Sequence, residues 1–168
     1  QYDEAEEWLK QALSYSLRWG NCDDNVRRFL QLGISQIGQK KYAEAETNLN
    51  SALQMQKILT HRKKDMLLAQ IYTELGRVRA AQGDNMLATQ YLEQSAETLK
   101  TRRNAYGSYH YLNNQYALAN VYRDAGRKAE ARQIYKDVLS RLRNGEHGPS
   151  VKDVERDFDL LRAQLEGG

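Results

Sequence analysis

Lys41-Tyr42-Ala43-Glu44-Ala45-Glu46-Thr47-Asn48-Leu49-Asn50-Ser51-Ala52-Leu53 repeats a stretch already present as Gln1-Tyr2-Asp3-Glu4-Ala5-Glu6-Glu7-Trp8-Leu9-Lys10-Gln11-Ala12-Leu13. Tyr, Glu, Ala, Glu, Leu, Ala and Leu return in register. The frame continues as Asn85-Met86-Leu87-Ala88-Thr89-Gln90-Tyr91-Leu92 and as Lys128-Ala129-Glu130-Ala131-Arg132-Gln133-Ile134-Tyr135. Its marker alanines, Ala5, Ala45, Ala88 and Ala131, are spaced by 40, 43 and 43 residues. Four units in one frame define a tandem repeat, the feature that decides the architecture.

Three of these segments follow another of constant character: Phe29-Leu30-Gln31-Leu32-Gly33, Tyr72-Thr73-Glu74-Leu75-Gly76 and Gln115-Tyr116-Ala117-Leu118-Ala119. A bulky residue, Leu three positions on, then Gly or Ala puts large and small side chains on one helical face. The small residue lets the next helix approach closely, with the marker alanine as its natural partner. Gly83 and Gly126 stand where a helix needs a left-handed terminator. Turn signals at Gly20-Asn21, Gly83-Asp84, Gly126 and Gly148-Pro149 then predict helices over 3–18, 22–38, 42–59, 64–82, 85–100, 107–125, 128–143 and 150–165. Ser150 and Asp153 have capping-box spacing at the start of the last one.

Composition agrees. Among 168 residues Pro149 is the only proline, and the eleven tyrosines against two phenylalanines suit helix interfaces near water. Cys22 stands alone, which rules out an intrachain disulfide and thiolate zinc sites and fits a reducing, cytoplasmic setting. No apolar run approaches the roughly 20 residues that span a bilayer.

The frame resembles the tetratricopeptide repeat over nearly the whole chain. The resemblance implies an all-α, right-handed α-solenoid of antiparallel helix pairs that acts as a protein-binding scaffold without cofactor. Ala119 replaces the expected glycine, Gln115 the aromatic and Lys40 the turn glycine, and the period exceeds the usual ~34 residues. Gly145-Glu146-His147-Gly148-Pro149-Ser150-Val151 resembles the inter-repeat turn of the longer, kinesin-light-chain-like variety, although a simple Gly/Pro turn serves as well. The division expected is an unpaired second helix over 1–20, repeats over 21–61, 62–103 and 104–146, and a first or capping helix over 147–168. Phe158 and Leu161 fall in frame in that last helix. Solenoid units cannot bury their apolar face alone, so either the end helices act as caps or the chain is a segment of a longer scaffold, the reading the frame favours.

In such arrays the concave groove is lined by the first helix of each pair. Carried over position by position, the resemblance implies Arg27, then Gln70, Thr73 and Arg77, then Asn113, Tyr116, Asn120 and Arg123. Arginine and Asn bind carboxylates and extended backbone, and Tyr offers a flat contact. A peptide that is acidic with apolar anchors is the expected partner. Leu30 and Ile34 stand where chaperone-binding members carry the Lys and Asn of a carboxylate clamp, which disfavours heat-shock-protein tails and suggests an apolar sub-pocket. A basic edge is expected at the inter-repeat turns, from Arg62, Lys63 and Lys64, Lys100, Arg102 and Arg103, and Arg141 and Arg143. With a net charge of only +3 and little aromatic interleaving, nucleic acid is disfavoured as its target.

Chemistry finds little footing. His61, His110 and His147 fall one near each inter-repeat turn with no ligand or nucleophile at useful spacing. Glycine-rich phosphate loops and metalloprotease or hydrolase motifs are absent. Glu4, Glu6 and Glu7, like Asp23 and Asp24, suit the positive ends of helices. Besides a groove-binding scaffold, the sequence leaves open a sensor array that controls an attached output domain, and a packing segment of a large assembly.

Overall fold

The computed structural model describes residues 2–19, 22–59, 66–100 and 105–166. Within them lie eight helices: α1 (Tyr2–Trp19), α2 (Cys22–Gly38), α3 (Tyr42–Leu59), α4 (Met66–Ala81), α5 (Asn85–Leu99), α6 (Ala105–Asp124), α7 (Lys128–Arg143) and α8 (Val151–Glu166). Every described boundary falls within two residues of the expected one.

Successive helices pack on one another, and α2, α4, α6 and α8 also touch in series. Among the described residues α1, α3, α5 and α7 do not touch one another. A layer whose members meet is the shorter side of a curved stack, so the even-numbered helices form its concave face. The result is an all-α solenoid, with apolar residues in the interior and a groove along one side.

The small residues of the frame explain the tight pairing. A Cβ on Gly33 would lie 2.7 Å from Leu49 Cγ, and one on Gly76 would lie 2.6 Å from Leu92 Cγ. Each would also crowd the carbonyl of the marker alanine, Ala45 or Ala88, on the opposing helix. Ala45, Ala88 and Ala131 are themselves fully buried. In the third pair both members change: Ala119 replaces glycine and the buried Tyr135 replaces leucine.

Each pair closes by one hydrogen-bond pattern. Lys41, Asp84 and Arg127 donate main-chain N–H groups to Gln36, Arg79 and Tyr122, five residues back. That arrangement requires a left-handed residue just before the donor. Gly83 (φ 84°) and Gly126 (φ 78°) supply it, and so does Lys40 (φ 60°). The replacement of glycine at Lys40 therefore leaves the turn unchanged and puts a side chain where glycine is favoured.

The connection from α7 to α8 repeats the motif, with Gly145 at φ 89° and Glu146 donating to the Arg141 carbonyl. Gly148 then brings the chain against α6, since a Cβ there would meet Leu112 Cβ at 2.9 Å. Arg141 clamps the connection, donating Nε to Glu146 Oε1 at 2.9 Å and Nη2 to Oε2 at 2.8 Å. The Ser108 hydroxyl donates to the same carboxylate, and the Arg141 guanidinium lies 5.1 Å from the Tyr111 ring centre. At the start of α8 the Ser150 carbonyl accepts from the Asp153 and Val154 amides, while the Asp153 carboxylate accepts from Arg156.

The apolar core falls into two clusters. One centres on Leu30, Leu49, Ile71 and Leu75, the other on Leu92, Leu112, Tyr135 and Leu161. A buried polar network joins α4, α5 and α6: Asn114 Nδ2 donates to Thr73 Oγ1 and the Leu92 carbonyl, and Ser95 Oγ donates to the Ala69 carbonyl. Burying these groups is tolerable because each has a partner.

Near the N-terminus, Glu6 does more than meet a helix dipole. Its buried carboxylate takes Lys10 at 2.7 Å, Lys41 at 3.0 Å and the Gln36 amide at 3.1 Å, tying α1 to α2 and to the start of α3. The two ammonium groups, Lys10 first, hold its pKa down to about 2.

Candidate partner-binding groove

The concave layer encloses a groove of about 560 Å³, lined only by the even-numbered helices and the approach to α8. Ile34, Gln70, Thr73, Arg77, Asn113, Tyr116 and Asn120 stand in its wall. These come from three helices, brought together by the inner-layer contacts.

Leu30 is placed elsewhere. It is 1% exposed and belongs to the N-terminal core cluster. Its counterparts in the frame show why: Thr73 is buried with its hydroxyl in the polar network, and the Tyr116 hydroxyl donates to Asp157 of α8. This frame position faces the seam between inner helices, where apolar Leu30 simply packs. Ile34 lies at the groove and also against the core, so the two residues do not form an open apolar sub-pocket.

The three arginines do not converge either. Arg77 lines the groove, with Nη1 3.3 Å from the Glu74 carboxylate. Arg27 is exposed near the start of α2, outside the groove wall. Arg123 is folded down, donating Nε to Asp124 at 2.9 Å and Nη1 to the Tyr135 hydroxyl at 3.3 Å.

Several wall residues escaped the reading of the sequence. Gln31, Glu74 and Ala117 share one frame position, a single helical turn from Arg27, Gln70 and Asn113, so their place was legible from the repeat. Tyr109 and His110 fall within the expected sixth helix, but the positions carried over from the repeat do not include theirs. The His110 Nε2 is 2.9 Å from Gln70 Nε2, its ring meets Tyr109 edge-on, and burial lowers its pKa. Pro149, Ser150 and Asp153 close the far end.

Polar contacts order the wall. Asn113 donates to the Tyr109 carbonyl, and Asn120 accepts from the Tyr135 hydroxyl. Burial and the neighbouring Asp157 push the Tyr116 phenol up to about 12.

Of the basic edge, Arg62, Lys63, Lys64, Arg102 and Arg103 lie outside the described residues. Arg141 is held in the Glu146 clamp, Arg143 pairs with Glu155 at 2.7 Å, and Lys100 stands 3.9 Å from Glu97. Each of the three described members of this edge therefore lies beside a carboxylate. His61 is likewise outside the described residues, and His147 is exposed in the connection before α8.

This solenoid, with its two helical layers and concave groove, has the architecture of a tetratricopeptide array. Residues 67–144 match the family model described as tetratricopeptide repeat. Its long-period units are similar in fold to kinesin-light-chain-like repeats. A Podosopora anserina protein described as a kinesin light chain with nearly identical TPR-like repeats has a TM-score of 0.75 at 21% identity, over 99% of this chain and 80% of that one. A point variant of a protein of the same description gives 0.72 at 18%, covering 100% and 90%. BtubC (BKLC) from P. vanneervenii gives 0.75 at 17%, covering 98% and 67%. No curated protein sequence matches the chain. A tetratricopeptide-repeat fold is typical of protein-interaction scaffolds. No helix among the described residues is long and apolar enough to cross a membrane.

Proposed function

We propose that the chain is a protein-interaction scaffold that lays a partner's extended or helical segment in the concave groove. The observation that carries this reading is the groove itself: three successive inner helices and the approach to α8 share one wall of polar and aromatic side chains. Carboxamides such as Gln31 and Asn113 can both donate to and accept from a peptide backbone. Tyr109 adds a broad contact face that loses little entropy on binding.

The expectation of an acidic partner loses its main support, because only Arg77 of the three arginines lines the groove and it faces Glu74. Heat-shock-protein tails remain disfavoured, since buried Leu30 offers no clamp for a terminal carboxylate.

The test is affinity capture with quantitative mass spectrometry of what is retained. Gln31→Arg and Asn113→Arg obstruct the groove, while Met86→Arg alters an exposed outer position. Partners should be lost from the groove variants and kept by the outer one. The opposite pattern overturns the proposal.

A further inference from the structure

The charged side chains in the groove wall are Glu74, Asp153 and Arg77, while burial lowers the pKa of His110 and so favours its neutral form. Two carboxylates thus face one guanidinium. Asp153 is satisfied by Arg156 at 3.0 Å. Glu74 is served less well. Its side chain is only 14% exposed, and its ion-pair partner among the described residues is Arg77 on the next turn, whose Nη1 lies 3.4 and 3.3 Å from the two oxygens, beyond the usual range for a charge-assisted bond. Arg77 is itself 53% exposed and so retains much of its hydration. Burial accordingly raises the Glu74 pKa against the opposing pull of Arg77. An ion pair of this geometry leaves a partly buried carboxylate under-compensated, in the wall of a groove where a ligand can reach it.

We propose that the segment held in the groove is anchored by a cationic side chain, lysine or arginine, seated against Glu74. This rests on the groove reading above and assigns the chemical class of its anchor. The same wall carries Tyr109 and Tyr116, and aromatic faces accept both the aliphatic stem and the charged head of such a residue. An acidic segment would instead bring a further carboxylate beside Glu74 and Asp153, a like-charge encounter that a single arginine already engaged by Glu74 does not offset.

The probes are three fluorescent pools of short degenerate peptides, identical except for a central arginine, aspartate or serine, titrated by anisotropy against the full chain. The wild type should prefer the arginine pool to the aspartate pool by about tenfold, with the serine pool as reference, and Glu74→Gln should abolish that preference. Arg77→Gln releases Glu74 from its helix neighbour and should tighten the arginine pool several-fold. Circular dichroism verifies that each variant is folded.

A preference for aspartate, or indifference of the arginine pool to Glu74→Gln, overturns the cationic anchor. If Asn113→Arg still abolishes binding in that case, the groove reading stands without it. If no pool binds, or binding ignores Asn113→Arg, the groove reading falls and takes the anchor with it.

Discussion

Glycine in a helix interior is ordinarily a weakness, and replacing Gly76 by alanine would ordinarily stabilise α4 by about 1 kcal/mol. The packing reverses that sign. The new methyl would sit 2.6 Å from Leu92 Cγ, 2.9 Å from its Cδ2 and 3.2 Å from the Ala88 carbonyl oxygen. Leu92 is fully buried and cannot swing out, and the carbonyl belongs to a helix backbone. Overpacking of this kind costs about 1–3 kcal/mol. Because neither neighbour can give way, the cost falls in the upper part of that range, about 2–3 kcal/mol. After the propensity gain of about 1 kcal/mol, Gly76→Ala should destabilise the fold by about 1–2 kcal/mol, lowering the melting temperature of a chain this size by roughly 2–8 °C. Denaturant titration followed by far-ultraviolet circular dichroism measures it. Leu92→Ala alone should cost about 2–5 kcal/mol. In the double variant, however, the methyl at 76 fills part of the space left at 92, so its cost should fall short of the sum by about 1 kcal/mol. A neutral or stabilising Gly76→Ala, or strict additivity with Leu92→Ala, would refute the close-approach account.

Two further outcomes follow from local geometry. Lys40→Gly should stabilise the protein by about 0.5–1 kcal/mol in the same titration, because Lys40 occupies a left-handed conformation that only glycine adopts without steric cost. Stability should also fall at both ends of the pH scale. The Glu6 pKa drops from its ordinary 4.5 to about 2 on folding, so its contribution is complete above about 4.5 and disappears as pH falls towards 2; Glu6→Gln should remove that acid-limb loss. The Tyr116 phenol rises from 10.0 to about 12, so its contribution is present below 10 and is lost as pH climbs towards 12, a limb that Tyr116→Phe should flatten.

The helices were legible because their signals are local: period, turn glycines and the alternation of large with small residues. Their pairing was legible too, since Gly33 and Gly76 have no purpose in a helix interior except close approach. The groove was harder to read. Its frame positions could be carried over, but the repeat specifies only where a backbone position falls. It does not reveal that Leu30 turns into the seam, or that Arg123 folds onto Asp124 and the Tyr135 hydroxyl. Those outcomes depend on neighbours contributed by other units, and the units differ most at such positions. Glu6 shows the same limit from the other side. An acidic residue near the start of a helix looks ordinary until Lys41 and Gln36, thirty or more residues away, are found around it.

The last helix shows how a frame can hold while its consequence changes. Leu161 repeats Leu118 and is fully buried, and Phe158 packs its ring 6.0 Å from that of Tyr135, as the repeat leads one to expect of a first helix. The position after the leucine is Gly33, Gly76 and Ala119 in the preceding units, and in α8 it is Arg162. Its side chain is 53% exposed and lies 3.7 Å from Asp159. At Gly33 and Gly76 this site is where the next helix closes in, with a leucine side chain and a main-chain carbonyl against it. A helix packed on α8 in the same manner would meet a guanidinium there. Beside it, Lys136 and Arg143 rim a hollow of about 630 Å³ whose floor includes Leu139 and Phe158. This side of α8 therefore combines an apolar floor with charge, and a helix packing on it must stand farther off than α3 stands from α2 or α5 from α4.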